Sequence, residues 1–105
     1  MECVRLDDAL AGAEVSFIKM DVEGAELDAL EGARAIITSQ RPVLALSAYH
    51  RQDHLWRIPQ MIRGMSDDYH LVLRAHRLDG WETVCYAIPE ERWRGQGRLA
   101  GTVVL

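Results

Sequence analysis

Residues 15–27 read V-S-F-I-K-M-D-V-E-G-A-E-L, and the change of character inside this stretch decides the fold. Val15, Phe17, Ile18 and Met20 make an apolar run rich in strand formers, the pattern of a strand buried on both faces of a parallel sheet. The run stops at Asp21. Glu23, Gly24 and Glu26 follow and a helical pattern begins at once, so carboxylates fall at the C-terminal end of a strand and in the first turn of a helix. In open α/β sheets that edge is where ligands bind.

Downstream, the spacing predicts one helix over residues 25–39, with Leu27, Leu30, Ala33 and Ile37 on one stripe and Ala29 and Ile36 flanking it. Glu26, Asp28 and Glu31 crowd its start and Arg34 and Arg41 lie toward its end, the charge order that the helix dipole favours. Gly32 inside it costs about 1 kcal/mol relative to Ala, and close contact with a strand is the expected reason. Pro42 ends the helix. Val43-Leu44-Ala45-Leu46 is a second continuous apolar strand running into Ser47, Ala48, Tyr49 and His50. Two parallel strands joined by a helix form a right-handed unit whose strands finish on the same edge, which brings Asp21 and Glu23 near Tyr49 and His50.

A further amphipathic stretch carries Leu55, Ile58, Ile62 and Met65 at helical spacing, with Asp53 as its expected cap and Pro59 marking either its start or a kink. From Tyr69 the period becomes two. Tyr69, Leu71, Leu73 and Ala75 alternate with His70, Val72, Arg74 and His76, an edge strand with one solvated face. Asp79-Gly80 is a hairpin turn, and residues 83–88 return with Val84, Tyr86 and Ile88 on one face until Pro89 stops them. These readings predict a four-stranded sheet: the Val15 and Val43 strands parallel neighbours, the Thr83 strand antiparallel beside the latter, and the Tyr69 strand at the far edge. Residues 90–105 are Arg- and Gly-rich, a tail whose Val103-Val104-Leu105 end is a short strand or loose. At the other end, Cys3, Val4 and Leu6 make a brief extended lead, and Asp7 or Asp8 caps one or two turns closed by Gly12.

At 105 residues, with 49% hydrophobic and 27% charged residues, the chain has the composition of a single folded domain. A net charge of −4 gives no basic footprint for nucleic acid or anionic lipid, although Arg92, Arg94 and Arg98 cluster locally. Neither partner is expected. Two cysteines, Cys3 and Cys85, are too few for a disulfide scaffold, and no apolar run approaches the ~20 residues of a membrane span or has a signal-peptide layout. A cytoplasmic location is the expectation.

The blocks F-I-K-M-D-V-E-G-A-E-L-D-A-L-E-G-A, R-P-V-L-A-L-S-A-Y-H, H-L-W-R-I-P-Q-M-I, Y-H-L-V-L-R-A-H and E-T-V-C-Y-A-I-P, with the lead-in R-L-D-D at Arg5 to Asp8, resemble the successive blocks of the FkbM-type methyltransferases. The resemblance covers nearly everything from Arg5 to Pro89. It implies an α/β fold, a partial class I methyltransferase (Rossmann-like) sheet of β-α-β-α order followed by an antiparallel β-hairpin. It also implies S-adenosylmethionine as cofactor, O-methylation as the reaction, and a small-molecule or glycan-type acceptor. Class I methyltransferases hold the cofactor with a Gly-rich turn after the first strand and an acidic residue after the second. Here Gly12 stands alone ahead of the Val15 strand and Gly95-Gln96-Gly97 follows the hairpin, so no G-x-G-x-x-G lies between strand and helix. Both apolar strands also need a second cover that the chain does not supply. The chain therefore reads as the C-terminal half of such a domain, with a core at 5–89 and a tail at 90–105. It is expected to bind S-adenosylmethionine weakly or not at all by itself, and to self-associate through an uncovered sheet face.

Asp21 and Glu23 are the candidate cofactor-binding residues, with Asp21 and His50 the candidate catalytic ones. The two carboxylates line the methyl-transfer pocket, orient the substrate or bind a divalent metal, or else merely cap the following helix. Lys19 is a strand residue reaching for solvent or a partner for one of these acids. His50 suits a general base, because an acceptor hydroxyl must lose its proton. His50 and His54 have the i, i+4 spacing of metal ligands but no third ligand with the accompanying spacing, so no metal is assigned. His70, Arg74 and His76 read as solvated, Trp56, Trp81 and Trp93 as packing residues, and Cys85 as a buried inert thiol. Two functions stay open: a methyltransferase or part of one, and a non-catalytic remnant or interaction module lacking the cofactor-binding half. A strand and Gly-rich turn encoded upstream would favour the first.

Overall fold

The computed structural model describes residues 5–75 and 83–95 and the backbone of 101–104. The elements run α1 (Leu6–Ala9), β1 (Val15–Met20), α2 (Glu26–Gly32), α3 (Arg34–Gln40), β2 (Val43–Ser47), α4 (His54–Met65), β3 (Tyr69–Ala75), β4 (Thr83–Pro89), α5 (Glu90–Trp93) and β5 (Gly101–Val104). The strand order is β3-β4-β2-β1-β5. β1 and β2 pair in parallel, β4 lies antiparallel to β2, and β3 is antiparallel to β4 at the far edge, as the period and turn signals predict. The sheet has a fifth strand. β5 pairs in parallel with the free side of β1, so part of the expected tail is sheet and β1 is an inner strand. His76, Asp79-Gly80, Trp81, Cys3 and Arg98 lie outside the described residues.

All the core sits on one side of the sheet. Ile18 and Met20 of β1, Leu44 and Leu46 of β2 and Cys85 and Ala87 of β4 pack under Leu30, Ile36 and Ile37 of α2 and α3 and Ile58 and Ile62 of α4. Alternation along the strands turns Phe17, Lys19, Ala45, Ser47, Val84 and Tyr86 to the other side, where no described helix covers them. β3 leaves the core after Leu71: Leu73 is 49% exposed and Arg74 and Ala75 are exposed too, so its second half is bare on both faces.

Several local expectations are corrected. The single helix over 25–39 is two, because Ala33 leaves helical geometry (φ −111°, ψ 11°). The second begins where the Asp7 carboxylate accepts the Ala35 and Ile36 N–H groups, each at 3.0 Å. Asp7 thus caps a helix distant in sequence, while Arg5 occupies the N-cap position of its own turn and Leu6 is helical, not extended. Gly32 faces the start of α1 and not a strand: a Cβ there would lie 3.4 Å from the Arg5 Cα, an ordinary contact, so close approach does not demand glycine here. Asp53 stands at the N-cap of α4, yet its carboxylate bonds Arg57 and Arg51 and not the helix end. α4 runs through Pro59, and its buried stripe is His54, Ile58 and Ile62, with Leu55 turned outward at 43% exposure. Arg41 closes α3 in the left-handed conformation (φ 53°) just before Pro42.

Candidate functional site at the carboxyl edge of the sheet

β1 and β2 run in parallel register, Met20 opposite Leu46, so the residues after them emerge side by side. Asp21 follows β1, and Tyr49 and His50 follow β2 by two and three residues. The structure brings them together. His50 Nε2 lies 3.3 Å from Asp21 Oδ1, and the Tyr49 ring leans on the His50 ring at 4.2 Å between centroids. Asp21 is about half exposed whereas His50 retains 17% of its side-chain surface.

Behind the ring is a residue that the sequence places among the carboxylates of this edge and in a favourable charge order, without a role of its own. Glu26, in the first turn of α2, is fully buried. Its carboxylate turns back over the loop and accepts the N–H groups of Val22 at 2.9 Å and Gly24 at 3.0 Å. His50 Nδ1 stands 3.1 Å from Oε2, and Nδ1 of His54, 1% exposed, is 3.4 Å from Oε1 without the alignment of a hydrogen bond. The loop can fold back because Glu23 (φ 50°) and Gly24 (φ 101°) both adopt left-handed backbone, which Gly24 takes without a Cβ penalty. The local signal was an acid one turn past a strand end, but burial of that acid follows only from α4 being laid over it.

Asp21 also closes one end of a groove of about 500 Å³ along the uncovered sheet face, walled by Phe17, Lys19, Ala45, Tyr49, Val84 and Tyr86. His50 is not part of this wall. It stands behind Asp21, so the order from groove to core is Asp21, His50, Glu26. Glu23 is exposed on the loop, outside the groove. Lys19 projects from the same strand face as Asp21, and among the described residues no ion pair joins it to Asp21 or Glu23. Asp21, Glu26 and His50 each offer a donor atom within 4.8 Å of the others, a spacing that a cation would fit. Each Glu26 oxygen also accepts one backbone N–H group.

Other candidates fall elsewhere. His54 opens α4 and His50 precedes it, so the two do not share a helix face. His70 is not merely solvated: it bonds Glu90 and stacks on Trp93 at 4.4 Å, 7° from parallel. Trp93 and Trp56 are 50% and 55% exposed and contribute to no core. Cys85 is buried as expected, and burial pushes its thiol up to about 11. No described helix is long and apolar enough to cross a membrane.

The profile of the methyltransferase FkbM domain matches residues 1–77. The chain belongs to the FkbM methyltransferase domain family. A solved structure, the methyltransferase FkbM from Methylobacillus flagellatus KT, is 44% identical with a TM-score of 0.72 over 79% of this chain. The match spans 22% of that longer chain. No curated protein matches. This FkbM-family chain therefore shares sequence and fold with its solved relative over most of its own length.

Proposed function

We propose that this chain forms the acceptor-activating part of an S-adenosylmethionine-dependent O-methyltransferase. The observation that supports it best is the meeting of Asp21 and His50 at 3.3 Å beside the groove, within a chain of the FkbM family. When bound, the cofactor supplies a methyl group on a cationic sulfonium. Asp21, at the end of the groove, is the anion there suited to face that cation, with Glu23 exposed on the adjoining loop, and the groove's aromatic walls suit an adenine or a sugar ring.

The acceptor hydroxyl, of a small molecule or a glycan, binds against Asp21 at the end of the groove. Its proton would pass by way of Asp21 to His50 Nε2 as the methyl group moves from sulfur to the acceptor oxygen: the S–C bond breaks to leave a neutral thioether, the O–C bond forms, and the O–H bond is exchanged for an N–H bond on the ring. Positioning and proton removal are the protein's contributions to such a transfer. In a full-length FkbM enzyme carrying these residues, Asp21→Asn should lower turnover about ten- to a thousand-fold, whereas Asp28→Asn, exposed on α2, should leave it nearly unchanged. Equal activity of the two folded variants would reduce Asp21 to a residue of the loop. A second reading, a module that binds a partner chain, is favoured by the uncovered sheet face.

A further inference from the structure

We infer that Glu26 is the positioning residue of this site: it keeps the proton of His50 on Nδ1 and so leaves Nε2, the nitrogen facing Asp21, free to receive the acceptor's proton. The inference rests on the reading of Asp21 and His50 as the proton path and adds the group that gives the path its direction.

A neutral imidazole carries one N–H, and the nitrogen that bears it is set by the hydrogen bond it can make. A free histidine side chain favours the proton on Nε2. Here that arrangement would aim a bare Nδ1 lone pair at Glu26 Oε2, 3.1 Å away in a fully buried position, where no water can intervene. The opposite arrangement gives Glu26 a donor and exposes the Nε2 lone pair to Asp21, whose half-exposed carboxylate is hydrated. The buried partner therefore decides. Each Glu26 oxygen also accepts one backbone N–H group, Oε2 from Val22 and Oε1 from Gly24, and Oε2 keeps a second lone pair for the imidazole.

Those two N–H groups belong to the loop that starts at Asp21. One buried carboxylate consequently sets the loop carrying Asp21 and the ring of His50 relative to each other. His54 stands on the other side of the same carboxylate, its buried Nδ1 3.4 Å from Glu26 Oε1 without a hydrogen bond. Once Nε2 takes a proton, the ring has a carboxylate against each nitrogen, Asp21 outside and Glu26 inside.

The test is the tautomer of His50, read by long-range proton–nitrogen correlation spectra of the isotope-labelled 105-residue chain. The expected result is a neutral ring protonated at Nδ1 and bare at Nε2, with the Nδ1 proton slow to exchange with water. Asp21→Asn should preserve that signature, and Glu26→Gln should shift the ring toward the Nε2–H form. A neutral His50 protonated at Nε2 in the unmodified chain overturns the inference. So does selective broadening of His50 and Asp21 signals by micromolar Mn²⁺, which would place a cation against Nε2 in the proton's stead. If Glu26→Gln does not fold, the tautomer of the unmodified chain decides alone. An Nε2–H tautomer refutes the role of Glu26 and leaves the methyltransferase reading standing, whereas full turnover of Asp21→Asn refutes that reading whatever the tautomer.

Discussion

Replacing Arg41 by alanine and by glycine separates two opposing contributions at one position. The Arg41 guanidinium bonds Glu91 through Nε (2.7 Å) and Nη2 (2.9 Å), Asp68 at 2.7 Å and Ser66 at 3.0 Å, and its Cζ lies 5.6 Å above the Tyr69 ring. It thereby ties the end of α3 to the loop before β3 and to α5. The side chain is one-quarter exposed and its carboxylate partners are 40–50% exposed, so each pair belongs nearer the surface range than the buried one. With the Glu91 pair at about 0.5 kcal/mol, the ring and hydroxyl contacts at a similar size and no contribution counted for the exposed Asp68, Arg41→Ala should cost about 1.5 kcal/mol. Against this, Arg41 holds φ at 53°, where a Cβ is penalised. Glycine escapes that penalty but loses more backbone entropy, so Arg41→Gly should be the more stable of the two variants by about 0.5–1 kcal/mol. Urea unfolding near neutral pH measures both. Acid adds a sign test, because Arg41 holds the carboxyls of Asp68 and Glu91 below their ordinary values of 3.8 and 4.5. Their contribution is complete above those ordinary values and is lost as pH falls through the lowered ones, so the unmodified chain should lose more stability on acidification than Arg41→Ala. An alanine variant within 0.5 kcal/mol of the parent, or a glycine variant below it in stability, would refute this account.

Asp7→Ala should cost about 1 kcal/mol by uncapping α3, while Asp8→Ala, exposed on α1, should change thermal unfolding little. Alkylating agents react with the thiolate form of a cysteine, and the raised value of Cys85 near 11 means that its labelling at neutral pH, resolved from that of Cys3 by peptide mass spectrometry, should track unfolding; rapid labelling of Cys85 in the native chain would contradict its burial. The uncovered sheet face should drive self-association that Phe17→Glu weakens, and a strictly monomeric chain in sedimentation at high concentration would oppose this.

The sequence by itself determined the pairing of the four strands β1 to β4 and the meeting of Asp21 with His50. Unbroken apolar runs at 15–20 and 43–46, each followed by polar residues and a helical period, require parallel strands ending on one edge, and that geometry alone brings Asp21 to His50. The period of two from Tyr69 likewise placed β3 at the edge. What local pattern could not decide is anything set by contacts between distant segments. The break at Ala33 looks like uninterrupted helix until Asp7 arrives from α1 to cap the second half. β5 has too few residues to declare itself and becomes a strand only because β1 offers an unpaired edge. Glu26 is the sharpest case. A glutamate in the first turn of a helix reads as surface charge favouring the dipole, and it becomes a buried acceptor only when α4 sets His54 over it, β2 delivers His50 and the loop folds back its own N–H groups. Periodicity records which face a residue occupies, whereas the cost of burying a charge is met by donors from three separate segments, and their convergence exists only in the folded chain.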